Sequence, residues 1–309
     1  LINMNISVVI PYYNESLTLE RTLNALANQT LSPSEIILVD SGSNDNSPLV
    51  IEEFIKERHA KNIILLTSGE MSPSSSINLG VKKSSSDLVA YVDCGLDIPL
   101  NWLESSLSLM EKSNADIISP QIYTAGKELI DKAFTSHTYG YDSYRPCLTG
   151  SLIKKILIEK VNYFLPNVRA NYDIDFIKKI NTINTKRITN SKIALQYFGT
   201  NYCRTFISGI LKIAAYSENG WRVKGHIKPY FYITALFILL AGLYLEYGMT
   251  ILISYFFVRG YFIPLSRSSR NIWKEFKLLL MLPIAGLAID FSRIIGYLFI
   301  HKIVSLKWE

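Results

Sequence analysis

Ala90-Tyr91-Val92-Asp93-Cys94-Gly95-Leu96-Asp97-Ile98-Pro99 is the stretch on which the reading of this chain turns. Residues 88–92 form a short apolar run with β-branched and aromatic members, the signature of a buried strand. The run stops at an aspartate, a small residue and a glycine, and a helix-like segment begins near Pro99. Open α/β sheets bind ligands just beyond the carboxyl ends of their strands, so Asp93 sits where such a protein holds a metal or a phosphate. A lone aspartate after a strand is more often a turn or cap residue. The neighbouring segments therefore decide its meaning.

Upstream, residues 6–10 are a β-branched run closed by Pro11-Tyr12-Tyr13-Asn14-Glu15, and Leu19, Leu23 and Leu26 then repeat at helical spacing. A second strand, 35–39, ends in Asp40-Ser41-Gly42-Ser43-Asn44-Asp45-Asn46-Ser47, after which Val50, Ile51, Phe54 and Ile55 read as a helix. A third strand, 62–66, leads through a Ser- and Pro-rich loop to a short helix around 78–82. This rhythm predicts an α/β fold, a doubly wound and mostly parallel sheet. Downstream, 103–111 reads as a helix and 115–119 as a strand. Residues 121–146, with His137 and Arg145, read as an irregular polar-aromatic loop, which suits an acceptor-binding cover and an ordinary surface loop equally.

The 309 residues are 49% apolar, and the charge is unevenly spread. Residues 200–309 hold 13 Lys and Arg against 5 Asp and Glu, and the remainder holds 19 against 21. A near-neutral first part joined to a basic, apolar last part predicts a soluble domain tethered to a membrane surface. The basic residues flank apolar runs instead of forming a polar patch, which argues against nucleic acid as a partner. Cys94, Cys147 and Cys203 are odd in number and irregularly spaced, unlike a disulfide framework or a zinc site. The run at 6–10 is shorter than the apolar core of a secretory signal. Neither Gly-x-Gly-x-x-Gly after the first strand nor Gly-x-x-x-x-Gly-Lys-Ser/Thr occurs, so nucleotide binding would use carboxylates and backbone amides.

Ser7 to Glu15, Gln29-Thr30, Glu35 to Ser47, Asn78 with Gly80, and Asp93 with Trp102 resemble, in that order, the motifs of glycosyltransferase family 2 enzymes with the GT-A fold, over the first two-thirds of the chain. The resemblance implies that Pro11, Tyr13 and Glu15 line a nucleoside pocket and that Asp40 accepts from the base or ribose of a nucleoside diphosphate sugar. It also assigns Asn78 and Asp93 to the donor site. Where the family often has Asp-x-Asp, this chain has Asp93-Cys94-Gly95. A Mg2+ or Mn2+ ion would then rest on Asp93, the diphosphate and water. Asp45 and Asp97 read as structural. Further on, the family's Glu-Asp pair corresponds to Tyr172-Asp173, which implies Asp173 as general base of an inverting single displacement. Its other reading is a helix N-cap. Asp175 reads as a solvated first-turn residue.

After a strand at 193–197, residues 205–216 suit an amphipathic helix on a membrane face or one packed on the protein. Trp221 to Lys228 is a basic collar. Residues 230–245 and 249–263 are short apolar arms, followed by Arg259, Arg267, Arg270, Lys274 and Lys277, which point both hairpin ends to the cytoplasm. Residues 276–300 form another apolar stretch, broken by Pro283, in which Asp290 and Arg293 can pair. The expected organisation is a catalytic domain over 1–200, an interfacial linker over 201–228, and transmembrane or re-entrant helices over 229–309. The expected partners are a nucleotide sugar, a lipid-linked or glycan acceptor and membrane lipids. Self-association is compatible with this plan, as is a non-catalytic nucleotide-sugar-binding or assembly subunit.

Overall fold

A computed structural model of the protein describes residues 5–59, 61–69, 72–197, 203, 205–224, 227–244 and 247–298. Two compact units emerge: Leu1–Tyr123 with Tyr144–Thr200, and Thr124–Ser143 with Asn201–Glu309. His226, Lys302 and Lys307 fall outside the described residues.

The first unit runs β1 (Ile6–Tyr12), α1 (Leu19–Ala27), β2 (Glu35–Asp40), α2 (Ser47–Arg58), β3 (Ile63–Thr67), α3 (Pro73–Lys83), β4 (Leu88–Tyr91), β5 (Leu96–Asp97), α4 (Trp102–Ser113) and β6 (Ile117–Thr124). One sheet takes the order β3-β2-β1-β4-β8-β6-β9-β5, closed by β8 (Leu152–Lys154) and β9 (Arg187–Tyr197). The pairs β1–β2, β2–β3, β1–β4 and β6–β9 are parallel, and β4–β8, β6–β8 and β5–β9 are antiparallel. Every residue of β1, β2 and β4 is buried, as expected of parallel strands covered on both faces. Gly80 of α3 lies so close to β1 that a Cβ there would collide with Val9, so the glycine lets this helix seat on the sheet.

The consequence for function is positional. Parallel β1, β2 and β4 end on the same edge, and that edge carries Tyr13, Glu15, Asp40 and Asp93. The chain returns there at Gly150, whose N–H donates to the Tyr91 carbonyl at 2.7 Å and whose carbonyl accepts from Trp102 Nε1 at 2.8 Å.

The expected irregular segment 121–146 contains a helix, α5 (Leu129–Thr138), followed by β7 (Ser143–Pro146). Leu129, Ile130, Ala133, Phe134 and His137 form a helical stripe that the surrounding Ser, Thr and Tyr conceal, and the last three are fully buried in the second unit. Residues 124–143 thus cluster with the C-terminal helices rather than with the sheet.

The rest of the second unit is α8 (Phe206–Glu218), α9 (Lys228–Tyr244), α10 (Gly248–Phe257), a π-helical turn (Val258–Phe262), α11 (Ile263–Arg267) and α12 (Phe276–Leu298). Two stretches, Gly248–Arg267 and Phe276–Leu298, are long and apolar enough to cross a membrane. α8 packs one face against α12 and buries Gly209, Ile213, Ala214 and Ser217. Trp221 belongs to this packing, its indole N–H bonded to the Tyr297 carbonyl at 2.9 Å. Arg259, expected as a flanking charge, is buried and pairs with Asp290 at 2.6 Å, because the helix continues through the π turn. The expected Asp290–Arg293 pair is present at 3.5 Å.

Gly150 has φ +76°, and a Cβ there would collide with Leu195. Gly150→Ala should therefore destabilise the first unit by at least about 1–3 kcal/mol, read as a lower midpoint in chemical denaturation.

Candidate active site

At the carboxyl ends of β1 and β2, two loops are stitched together. Asn14, with φ 54°, donates its N–H to Ser43 Oγ at 3.0 Å and accepts from the Asn44 N–H at 2.9 Å. The Glu15 N–H donates to Ser47 Oγ at 2.8 Å. Asp45 accepts from the N–H groups of Ser16 and Ser47 at 3.0 and 2.9 Å, the structural role expected of it. Asp40 is buried at the end of β2, and its Oδ1 accepts from the Ser43 N–H at 2.9 Å. Pro11 is buried within β1, whereas Tyr13 is exposed beside it. Glu15 is half-buried and accepts from the Thr18 hydroxyl. Burial pushes its carboxyl up, the Thr18 bond opposes this, and the charges of Asp93 and Asp45 add to it.

Asp93 lies two residues beyond β4. Its N–H donates to Thr149 Oγ1 at 3.2 Å, and its Oδ2 accepts from the Tyr197 hydroxyl at 2.7 Å. Burial holds its carboxyl above the usual range. The Tyr197 and Thr149 bonds pull it down, and the charge of Asp173 pushes it up again. Asp97, by contrast, lies on β5 and pairs with Arg21 of α1, consistent with a structural role. Burial raises the Cys147 thiol to about 12, which leaves it protonated near neutrality and inert as a nucleophile.

The segment after β8 delivers the second acid. α6 (Lys155–Lys160) leads to residues 161–171 and then α7 (Tyr172–Ile180). Asn171, with φ 66°, is the N-cap of α7, so Asp173 is a first-turn residue rather than the cap. Asp173 is exposed, while Asp175 is buried and forms an ion pair with Lys179 at 2.8 Å. The expectation of a solvated Asp175 is thereby overturned, because α7 turns Asp175 inward together with Phe176 and Ile180. The Tyr91 hydroxyl feels burial first, then Tyr172, Asp93 and Asp173. Residues 80 positions apart in the chain thus bring two carboxylates into one electrostatic neighbourhood.

Asn78 does not face that neighbourhood with a free amide. Its Nδ2 donates to the Phe164 carbonyl at 2.9 Å, and its Oδ1 accepts from the Phe164 N–H at 3.0 Å. Both ends of the Asn78 amide thus clamp the main chain at Phe164. Sequence reasoning also missed Tyr197 and Phe164. The first is signalled only by being the last residue of a predicted strand. The second is an ordinary core aromatic until its neighbours are known.

Among the described residues no group of three or more His, Cys, Asp and Glu can hold a metal ion. Gly95 takes φ +77° and donates its N–H to Thr22 Oγ1 at 3.1 Å, a left-handed conformation that disfavours an aspartate there. The fit is to a hard cation that arrives with phosphate oxygens and keeps its waters, held by Asp93 with one oxygen already bonded to Tyr197.

Residues 7–190 match the sequence profile of Glycosyl transferase family 2. Glycosyltransferase AglE of Haloferax volcanii is 26% identical over 166 residues, covering 52% of this chain and 52% of that protein. The chain thus matches about half the length of that relative. Mannosyltransferase PcManGT from Pyrobaculum calidifontis, solved with GDP-Man and Mn2+, aligns with TM-score 0.54 at 14% identity over 94% of this chain and 86% of that one. S. aureus TarS 1–349, solved with UDP-GlcNAc, aligns with TM-score 0.50 at 14% identity over 94% and 89%. The mixed sheet is the GT-A fold that these structures share.

Tyr197→Phe removes a bond that favours the charged carboxylate, so the Asp93 pKa rises further. A protonated carboxyl does not ligate a divalent cation. If Asp93 holds a divalent cation, calorimetry with Mn2+ and UDP should show binding lost at a higher pH in the variant than in the wild type as pH is lowered from about 8 to about 5.

Proposed function

The chain belongs to glycosyltransferase family 2, and on that premise we propose that it is a membrane-associated inverting glycosyltransferase. It would move a sugar from a nucleoside diphosphate sugar to a hydroxyl of a lipid-linked or glycan acceptor. The observation that carries this reading is that Asp93, a strand-end carboxylate, lies near enough to Asp173, a helix-start carboxylate, for the charge of Asp173 to push it up.

In this reading Pro11, Tyr13, Glu15 and Asp40 hold the base and ribose on the stitched loops. A carboxylate such as Asp40 accepts from adjacent N–H or O–H donors of the nucleoside. Asp93 would hold Mg2+ or Mn2+, and such an ion, when bound, neutralises charge on the departing diphosphate. Asp173 takes the proton of the acceptor hydroxyl as that oxygen attacks the anomeric carbon from the face opposite the diphosphate. The bond to the diphosphate breaks as the new glycosidic bond forms, and the anomeric configuration inverts. The exposure of Asp173 suits this role, because the acceptor approaches from solvent or from the membrane.

Membrane association is supported by the second unit taken alone. Phe257, Phe262 and Phe291 on the two long apolar stretches, and Phe237 on α9, are each more than half exposed. Between the two candidate spans, exposed Trp273 sits among Arg270, Lys274 and Lys277, an aromatic and cationic anchor of the kind found on the cytoplasmic face. The proposed location is the cell membrane, with the catalytic unit facing the cytoplasm. Replacing Arg270, Lys274 and Lys277 by Glu should weaken binding to vesicles rich in anionic lipid and leave binding to neutral vesicles less affected, as flotation would measure.

Gly95 and Tyr172, each standing where the family carries an acid, favour the second reading, a non-catalytic nucleotide-sugar-binding subunit. A donor panel assayed with membrane lipid extract separates the two, since that subunit binds nucleotide and releases none from the sugar. For the transferase, Asp173→Asn should retain Mn2+–UDP affinity in calorimetry and lose turnover by ~10²–10⁴. Undiminished turnover would remove Asp173 from its role.

A further inference from the structure

We infer that Asn78 is a positioning residue for Asp173, acting through Phe164. The inference rests on the reading of Asp173 as general base.

Among the described residues no hydrogen bond or ion pair holds the Asp173 carboxylate. Its orientation is inherited from the first turn of α7. That turn follows a segment rich in left-handed residues. Asn162 and Tyr163, with φ of 57° and 62°, close α6 through their own N–H bonds to the Glu159 and Ile158 carbonyls, and Asn167 and Asn171 have φ of 59° and 66°.

Beyond that cap, α3 braces the segment at 164–168. Ser74 Oγ donates to the Val168 carbonyl at 2.9 Å, and the Asn167 N–H donates to Ser75 Oγ at 3.0 Å. One turn further along, the Asn78 amide makes both of its bonds to the main chain of Phe164. Asn78 is itself buried, so removing its amide would leave the Phe164 N–H and carbonyl without partners away from water.

Phe164 transmits the restraint. Its ring is fully buried, stacks on Phe176 of α7 at 4.4 Å, and meets Tyr172 edge-on at 6.1 Å. Tyr172 immediately precedes Asp173. On its other side the ring meets Tyr91 edge-on at 5.6 Å, two residues from Asp93. A single aromatic side chain therefore references the helix that carries the base to the strand that carries the other acid. Asn78 sets the height of that side chain. The tyrosine that replaces the family's glutamate at 172 is part of this stack.

The test uses the full chain and four proteins: wild type, Asn78→Ala, Asp173→Asn and the double variant. The readouts are nucleotide release from the UDP-sugar that the wild type turns over, with membrane lipid extract as acceptor, and hydrogen exchange over residues 162–176. Asn78→Ala should lower kcat by about tenfold or more, as a small misplacement of a reacting group does, and leave the donor KM within about twofold. It should raise exchange over 164–176 and add no further loss in the Asp173→Asn background. A raised donor KM with unchanged kcat would return Asn78 to the nucleotide site and overturn the inference. Losses that multiply in the double variant, or exchange unchanged over 164–176, would also overturn it. If Asp173→Asn keeps full turnover, the base assignment fails and this inference with it. If Asp173→Asn is inactive while Asn78→Ala is not, only the positioning role falls. Phe164→Leu, which keeps apolar volume but removes the stack, carries the same expectations if Asn78→Ala does not fold.

Discussion

A carboxylate held partly out of water beside other carboxylates is costly, and the first unit is arranged around one. Asp93 sits just past a fully buried strand, with Asp173 and Glu15 near enough to raise the energy of its charge or to feel it. Among the described residues, bonds from the Tyr197 hydroxyl and the Thr149 side chain relieve it. On the proposed reading, a divalent ion accompanied by a diphosphate would supply the positive charge that such a site lacks. The lone carboxylate is thus a coherent cation partner, and Gly95 is accounted for by the backbone conformation of the turn.

The same edge depends on close approaches that only particular residues permit. Gly150 brings β8 under the end of β4 and lets Trp102 and Tyr91 bond to it. Gly80 lets α3 settle on β1, and from that seat the serines and Asn78 reach the 164–168 segment. Asp93 and the first turn of α7 that carries Asp173 are therefore referenced to one sheet.

The second unit solves a different problem. Its apolar helices enclose a polar knot: Arg259 bonds to Asp290 at 2.6 Å and to His137 Nδ1 at 2.6 Å, while His137 Nε2 donates to the Leu282 carbonyl at 2.7 Å. Burial and the neighbouring Arg259 lower His137 to about 3, so its ring is neutral and accepts from the arginine. Breaking one member of such a buried set costs more than the set contributes, which makes it a fixer of register more than a source of stability. Here it ties α5, an excursion between β6 and β7, to the C-terminal helices.

By itself the sequence determined the alternation of strands and helices, the acids at strand ends, the family and the apolar, basic character of the last third. These are local or periodic properties, and a buried parallel strand or an amphipathic helix declares itself through its own residues. What only the tertiary structure decided is which polar atoms find one another. Asn78 reads as a ligand residue until Phe164, 86 positions away, occupies its amide. Arg259 reads as a flanking charge until a π turn carries it inside against Asp290. Asp173 and Asp175 are two residues apart and chemically alike, and only the rotation of α7 against Phe164 exposes one and buries the other. Pattern along a chain records which faces are apolar. It does not record the distance between faces, and hydrogen bonds and carboxylate charges act through that distance.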